Sequence, residues 1–193
     1  IFGSASEGFS RANLNAGIAE SLERFAPVAA AAKAAGIALR GYVSCVSDCP
    51  YDGPIAPGAV ASVVAALRDI GCAEISLGDT IGRATPDRID AMLMAVLNEL
   101  PAGQLAGHFH DTGGGALENI AVSLARGLRI FDAAVGGLGG CPYAPGAAGN
   151  VATEAVAAML AEKGFFTGLN LERLKQAAAM ARAMRGEQTR SFS

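Results

Sequence analysis

Leu105-Ala106-Gly107-His108-Phe109-His110-Asp111 carries both histidines of the chain, two positions apart at the end of a β-rich run. Side chains at i and i+2 of a strand point to the same face. Both imidazoles therefore project to one side near the strand's C-terminal end, with Asp111 next door. Neutral imidazoles converging in this way are donors for a divalent metal. The plain alternative is a pair of rim histidines with ordinary hydrogen bonds. The pairing and the adjacent acid favour the metal reading, although they do not choose the ion.

Outward from this stretch, β-rich runs recur at 40–46, 74–77, 105–110 and 130–135, about one βα repeat apart. Ile1-Phe2-Gly3 reads as the end of a further strand. Helical patterns lie between the runs. Ile18, Leu22, Phe25 and Val28 make one face of a helix over 18–35, which Gly36 closes and Pro27 should kink. Pro57 opens a second helix, with Val60, Val63, Val64, Leu67 and Ile70 inward and Gly71 at its end. Thr85 and Pro86 read as the N-cap and first turn of a third, with Ile89, Leu93, Val96 and Leu97 inward. A fourth runs from about 115 to 126 on Leu117, Ile120 and Leu124, ending at Gly127. Two more follow, the last capped by Asn170.

Strand–helix alternation gives a parallel sheet covered by helices. An open doubly wound sheet and a (β/α)₈ barrel both fit that pattern. The polar residues select the barrel. Cys45, Ser47, Asp48, Asp79, Thr80, His108, His110 and Asp111 all fall at or just past strand C-termini, the rim that carries barrel active sites. No GxGxxG follows a strand, so a dinucleotide fold has no support. Four whole strands and one strand end are fewer than the eight of a closed barrel. The expectation is the C-terminal part of a barrel, from the end of strand 4 through strand 8 plus C-terminal helices. All of 1–193 would be one partial catalytic domain, with roughly one hundred residues, about three βα units, preceding it.

Half of the 193 residues are apolar, enough for a substantial core, and the formal net charge is −3. Lysines are few and scattered, which argues against nucleic acid or a membrane surface as partner. No apolar run has membrane-spanning length. Cysteines at 45, 49, 72 and 141 lack zinc spacing and read as reduced thiols. Reduced thiols point to a cytosol-like compartment.

Two further features could carry chemistry. Val135 to Asn150 contains six glycines and two prolines in sixteen residues, with Cys141 and Asn150 within it. A loop after the last barrel strand lies over the active site. Cys141 could serve there as acid, base or nucleophile, or be an inert buried thiol. In Glu74-Ile75-Ser76-Leu77-Gly78-Asp79-Thr80, Asp79 is either a turn-capping aspartate or a carboxylate facing the site.

Together these segments resemble the 3-hydroxy-3-methylglutaryl-CoA lyase family. That family belongs to a wider metal-dependent barrel group with isopropylmalate and homocitrate synthases. Gly137-Leu138-Gly139-Gly140-Cys141-Pro142-Tyr143-Ala144 is similar to the lyase signature loop. Other similar stretches are Ser4-Ala5-Ser6-Glu7, Arg40-Gly41-Tyr42-Val43-Ser44-Cys45, Cys49-Pro50-Tyr51, Ser76-Leu77-Gly78-Asp79-Thr80-Ile81-Gly82 and His110-Asp111-Thr112. The resemblance implies His108, His110 and Asn150 as ligands of Mg²⁺ or Mn²⁺. It implies Cys141 as the acid that protonates an acetyl-CoA enolate, with His108 and Asp79 also catalytic. Asn13, Tyr42, Thr80 and Glu154 are implied to line the substrate pocket. The implied reaction cleaves 3-hydroxy-3-methylglutaryl-CoA to acetyl-CoA and acetoacetate in leucine breakdown, by an enzyme acting as a homo-oligomer. A related 3-hydroxyacyl-CoA, or a non-catalytic barrel fragment, are the competing readings. The family's Arg-Asp-Gly motif, expected to complete the metal site, does not occur in this sequence, so the chain alone is not expected to be competent. Gly113 and Gly115 stand where the family usually has bulkier side chains.

Overall fold

The computed structural model describes residues 1–140 and 149–190. In chain order the elements are β1 (Phe2–Ser4), α1 (Glu7–Leu14), α2 (Ile18–Ala34), β2 (Leu39–Ser44), β3 (Asp48–Cys49), β4 (Gly53–Pro54), α3 (Pro57–Asp69) and β5 (Cys72–Asp79). They continue with α4 (Pro86–Val96), β6 (Leu105–Phe109), α5 (Ala116–Ala125), β7 (Ile130–Asp132), α6 (Thr153–Glu162) and α7 (Leu171–Arg190). The main sheet runs β1-β2-β5-β6-β7, and every neighbouring pair is parallel. Each strand lies beside the next sheet strand in sequence. A doubly wound sheet would reverse its order at a switch point. The monotonic order is barrel winding, as the rim residues led one to expect.

Alternation along the strands separates two faces. Val43, Ile75, Leu77, Leu105 and Phe109 point outward and are fully buried with Val60, Val63, Val64 and Leu67 of α3, Ile89, Leu93 and Val96 of α4, and Ile120 of α5. Each such side chain stabilises the fold by roughly 1.5–3 kcal/mol relative to exposure. Space on this face is tight. A Cβ on Gly41 would meet Leu67 and Cys72 at 3.1 Å.

Several local expectations change. The helix α1 and the small β3–β4 hairpin are additional to the sequence reading. Ser6 caps α1 through its hydroxyl, which accepts from the Phe9 N–H at 3.0 Å, and Asn15 closes the helix in the left-handed region. Val28, expected inward, is 50% exposed, and the buried positions of α2 are Ser21 and Ala29. The i, i+4 ridge 21–25–29 is the one that faces the protein, which rotates Val28 outward. The helical assignment of α2 continues through Pro27. Thr85 occupies the cap position of α4 but makes no side-chain capping bond. Asn170 does cap α7, accepting from the Arg173 N–H at 3.0 Å. Cys45, Cys49 and Cys72 are free and buried. No helix among the described residues is long and apolar enough to cross a membrane.

Candidate active site

The inward face of the sheet is polar at its C-terminal end. His108 is on β6 and His110 follows the strand directly. Their rings are 5.5 Å apart between centroids. The chain returns to this point after the glycine-rich segment. The Asp111 N–H donates to the Gly149 carbonyl, the Val151 N–H donates to the Phe109 carbonyl, and His110 forms an isolated bridge with Asn150. Backbone pairing thus sets Asn150 beside His110, across forty residues of sequence.

Each of these side chains has one end held and one end left over. His110 is 7% exposed, hydrogen bonds to the Thr80 backbone, and its Nδ1 is buried without a hydrogen-bond partner. Burial, and then the neighbouring His108, push its pKa down, which keeps the imidazole neutral. Asn150 donates from Nδ2 to the Leu138 carbonyl at 3.1 Å, and its buried Oδ1 has no partner. His108 meets the Asp132 carboxylate through Nδ1 at 3.1 Å, which leaves Nε2 as the lone-pair nitrogen. An unsatisfied buried polar atom costs about 1–3 kcal/mol, so unpartnered atoms on two bridged residues ask for a partner. One ring nitrogen anchored and the other free is the arrangement of metal-bound histidine. Two imidazoles and an amide oxygen suit a divalent cation that retains water. Among the described residues no cluster of three or more His, Cys, Asp or Glu side chains is placed to hold a metal. The donor set fits such an ion, and a carboxylate to complete it would have to come from elsewhere.

A cavity of about 360 Å³ opens over this face. His108, His110, Thr80, Tyr42 and Asn13 line it, and Phe2 and Phe9 give it an apolar wall. Tyr42 is held by Arg40, whose guanidinium donates to its hydroxyl at 2.7 Å. The Thr80 hydroxyl accepts from the Cys45 N–H at 2.8 Å. Cys45 sits at φ 60°, a strained position at the rim, and burial pushes its thiol pKa up.

Other expected site residues lie elsewhere. Asp79 is 1% exposed, and its carboxylate accepts from the backbone of Ala84 at 2.9 Å and Arg83 at 3.3 Å. Burial pushes its pKa up against those bonds. It organises the turn that carries Thr80 and does not line the cavity. Glu154 accepts from the Gly136 N–H at 3.0 Å and from Arg182 at 2.7 Å, and is likewise outside the cavity lining. Cys141 is outside the described residues, although Gly140, just before it, lines the cavity.

Sequence reasoning missed Asp132. Its carboxylate accepts from Arg40 at 2.9 and 3.1 Å, from Ser76 at 2.8 Å, and meets His108. Burial would raise its pKa, but His108, Arg40 and Ser76 outweigh this and bring it down to about 2. The available signal was strand parity, since β7 registers Asp132 directly against His108.

Barrel winding with a His-x-His at the rim defines this chain as part of a (β/α)₈ barrel with a C-terminal-face site. Residues 1–181 match the HMGL-like family model, and the chain belongs to that family. It is 51% identical over 191 residues to hydroxymethylglutaryl-CoA lyase of Pseudomonas mevalonii, covering 99% of this chain and 64% of that protein. It is 55% identical over 179 residues to the mitochondrial enzyme of Bos taurus, covering 93% of this chain and 55% of that protein. Among solved structures, the HMG-CoA lyase of Brucella melitensis superposes with TM-score 0.93 at 64% identity, over 96% of this chain and 65% of that one. An Acinetobacter baumannii HMG-CoA lyase in complex with coenzyme A and 3-methylmalate superposes with TM-score 0.90 at 36% identity, over 96% and 60%. The chain therefore spans less than two thirds of the length of these relatives.

Proposed function

We propose that the protein carrying this chain is a carbon–carbon lyase that cleaves 3-hydroxy-3-methylglutaryl-CoA to acetyl-CoA and acetoacetate with a divalent cation, Mg²⁺ or Mn²⁺. The observation that carries the reading is the pair of unpartnered buried atoms, His110 Nδ1 and Asn150 Oδ1, beside His108. The names of the relatives, and the neighbour with bound coenzyme A and 3-methylmalate, support the substrate class.

His108, His110 and Asn150 would hold the cation, which supplies Lewis-acid polarisation of the substrate's tertiary hydroxyl and carboxylate. The protein's own residues do the rest. Phe2 and Phe9 keep the acyl portion dry, which strengthens every electrostatic contact within the cavity. Asn13 and Tyr42 offer polar groups to orient it, with Tyr42 fixed by Arg40. A base takes the hydroxyl proton, the oxygen becomes the ketone of acetoacetate as the carbon–carbon bond breaks, and that bond's electron pair passes to the acetyl-CoA thioester as an enolate. Cys141 is the acid that protonates that enolate carbon. Asp79 and Glu154 act at one remove: Asp79 shapes the turn bearing Thr80, and Glu154 anchors the start of the glycine-rich segment through Gly136.

The test is acetoacetate release from 3-hydroxy-3-methylglutaryl-CoA by the intact protein, with Mg²⁺ and after chelation. Release that requires the cation supports the reading. Equal rates with and without it, or no release at all, would remove it.

A further inference from the structure

We infer that Asp132 is a positioning residue that fixes the tautomer and orientation of His108, and that Arg40 is a shared anchor, holding Tyr42 directly and His108 through this carboxylate. The inference rests on the metal-site reading above and deepens it.

The geometry is set by the sheet. In the parallel pair β6–β7, His108 is registered against Asp132, so both side chains leave on the inward face as neighbours. In β5–β6, Gly78 is registered against His108. Having no side chain, Gly78 leaves the imidazole's other flank open. Among the described residues the side-chain hydrogen bond to the ring comes from the β7 side.

Asp132 has little freedom of its own. Its Oδ1 accepts from Arg40 at 2.9 Å, and its Oδ2 accepts from Arg40 at 3.1 Å and from Ser76 at 2.8 Å. Two parallel guanidinium bonds fix the carboxylate plane as well as its charge. The remaining capacity of Oδ2 is directed at His108 Nδ1, 3.1 Å away. A carboxylate can only accept, so the neutral ring carries its proton on Nδ1 and leaves the lone pair on Nε2. That is the tautomer a metal ligand needs. The same guanidinium donates to the Tyr42 hydroxyl at 2.7 Å, and its remaining nitrogen pairs with Glu74. One arginine therefore spans two residues of the cavity wall, Tyr42 directly and His108 through Asp132.

A purely structural ion pair would neutralise charge inside the sheet and leave the imidazole indifferent to it. The two roles separate in the intact protein labelled with ¹⁵N-histidine, with His108 assigned through its own variant. The wild type is expected to show His108 protonated at Nδ1 without metal. Asp132→Asn can offer an N–H to Nδ1 and so permits the opposite tautomer. It should lose the Nδ1–H signature and weaken Mn²⁺ binding by about 10–100-fold, the usual effect of removing such a partner. Asp132→Glu keeps the carboxylate, and should keep the tautomer with an intermediate Mn²⁺ affinity. Should Asp132→Asn fail to fold, Ser76→Ala carries the test, because it loosens the carboxylate without removing it and should lower the Nδ1–H fraction.

Wild-type tautomer and wild-type Mn²⁺ affinity in the Asp132 variants and in Ser76→Ala would overturn the inference. The outcome is separable from that of the metal reading. If His110→Ala abolishes Mn²⁺ binding while Asp132→Asn changes nothing, the metal site stands and the role of Asp132 falls. If the wild type binds no Mn²⁺ but Asp132→Asn still switches the His108 tautomer, the positioning stands and the metal reading falls.

Discussion

The two faces of one sheet are held together by different physics. Outward, Val43, Ile75, Leu77, Leu105 and Phe109 meet three helices through non-directional apolar contact. Inward, Arg40, Ser76, His108 and Asp132 meet through directional bonds of 2.8–3.1 Å, each with a particular partner. On β6 the alternation is residue by residue: Phe109, 1% exposed in the core, lies between His108 and His110 of the site. Stability and chemistry are thereby assigned to residues of opposite parity on the same strand. Apolar contacts are shared among many neighbours, so a volume-conserving change can be absorbed. A set of directional hydrogen bonds has no such redundancy.

The largest expected effect tests the outward face. Phe109→Ala should cost about 3–5 kcal/mol of stability, the range for a buried aromatic truncated to alanine. Denaturant unfolding measures it, and the fraction still folded should bind Mn²⁺ nearly as the wild type does. Near-normal stability with lost metal binding would break the division between the faces. On the inward side, His110→Ala should lower turnover by roughly a thousandfold, about 4 kcal/mol, by removing a ligand of the Lewis acid. Its stability loss should be modest, about 1 kcal/mol, because the variant gives up one hydrogen bond to the Thr80 backbone but also discards a buried nitrogen without a partner. Steady-state kinetics and a melt on the same sample decide this. A large stability loss with Mn²⁺ affinity intact would make His110 a core residue.

Gly82 lies where the faces meet, at the rim. It has φ +63°, and a Cβ there would stand 2.7 Å from the Thr112 nitrogen and 2.8 Å from the His110 carbonyl oxygen. Gly82→Ala should cost about 1–3 kcal/mol through the left-handed backbone alone. The displaced His110 segment should also weaken Mn²⁺ binding, measured by titration. If stability falls while the affinity stays at the wild-type value, the rim turn and the metal site are mechanically independent.

The faces were unequally legible in the sequence. Apolar periodicity located α3, α4 and α5 within a residue or two, because each helix buries one continuous stripe. The strands were found but trimmed or extended. The run at 130–135 is a strand only over Ile130–Asp132, because the chain turns at Val135–Gly137, where Gly136 adopts φ 70°. α1 was missed because its sequence, EGFSRANL, buries only Phe9 and Ser10 and shows no apolar stripe. In the site, His108 and His110 stood out by spacing and the glycine-rich segment by composition, whereas Asn150 entered only through the family resemblance. Asp132 did not stand out. Its partners Arg40 and Ser76 are 92 and 56 residues away, and only the sheet register brings them together. For Asp79 the sequence left a turn-capping role and a site-facing one open, since the direction of its carboxylate depends on a turn whose backbone donors come from Arg83 and Ala84.

The smallest expected effect concerns a corner that belongs to neither face. Asp52, in the turn between β3 and β4, accepts from the Ser6 hydroxyl at 2.6 Å and from the Gly8 N–H at 2.8 Å. Ser6 also contacts Cys49 Sγ at 2.8 Å, so this carboxylate ties the start of α1 to the hairpin. A Cβ on Gly8 would collide with it, and glycine is what allows the approach. The Ser6 bond, then the Gly8 bond, lower the Asp52 pKa against a weak opposing push from burial. A carboxyl whose pKa is depressed on folding contributes stability that is complete above its unfolded value, near 4, and is lost as the pH falls through the folded value. Asp52→Asn keeps the shape and an acceptor oxygen but removes the charge. The stability gap between wild type and variant should therefore be level from about pH 8 to 5 and close below about pH 4. Because Asp52 is exposed, salt should narrow the gap at neutral pH. Melting curves across that range decide the matter. Parallel profiles down to pH 2.5 would mean that the corner is held by shape and hydrogen bonding without help from charge, which would align it with the apolar face.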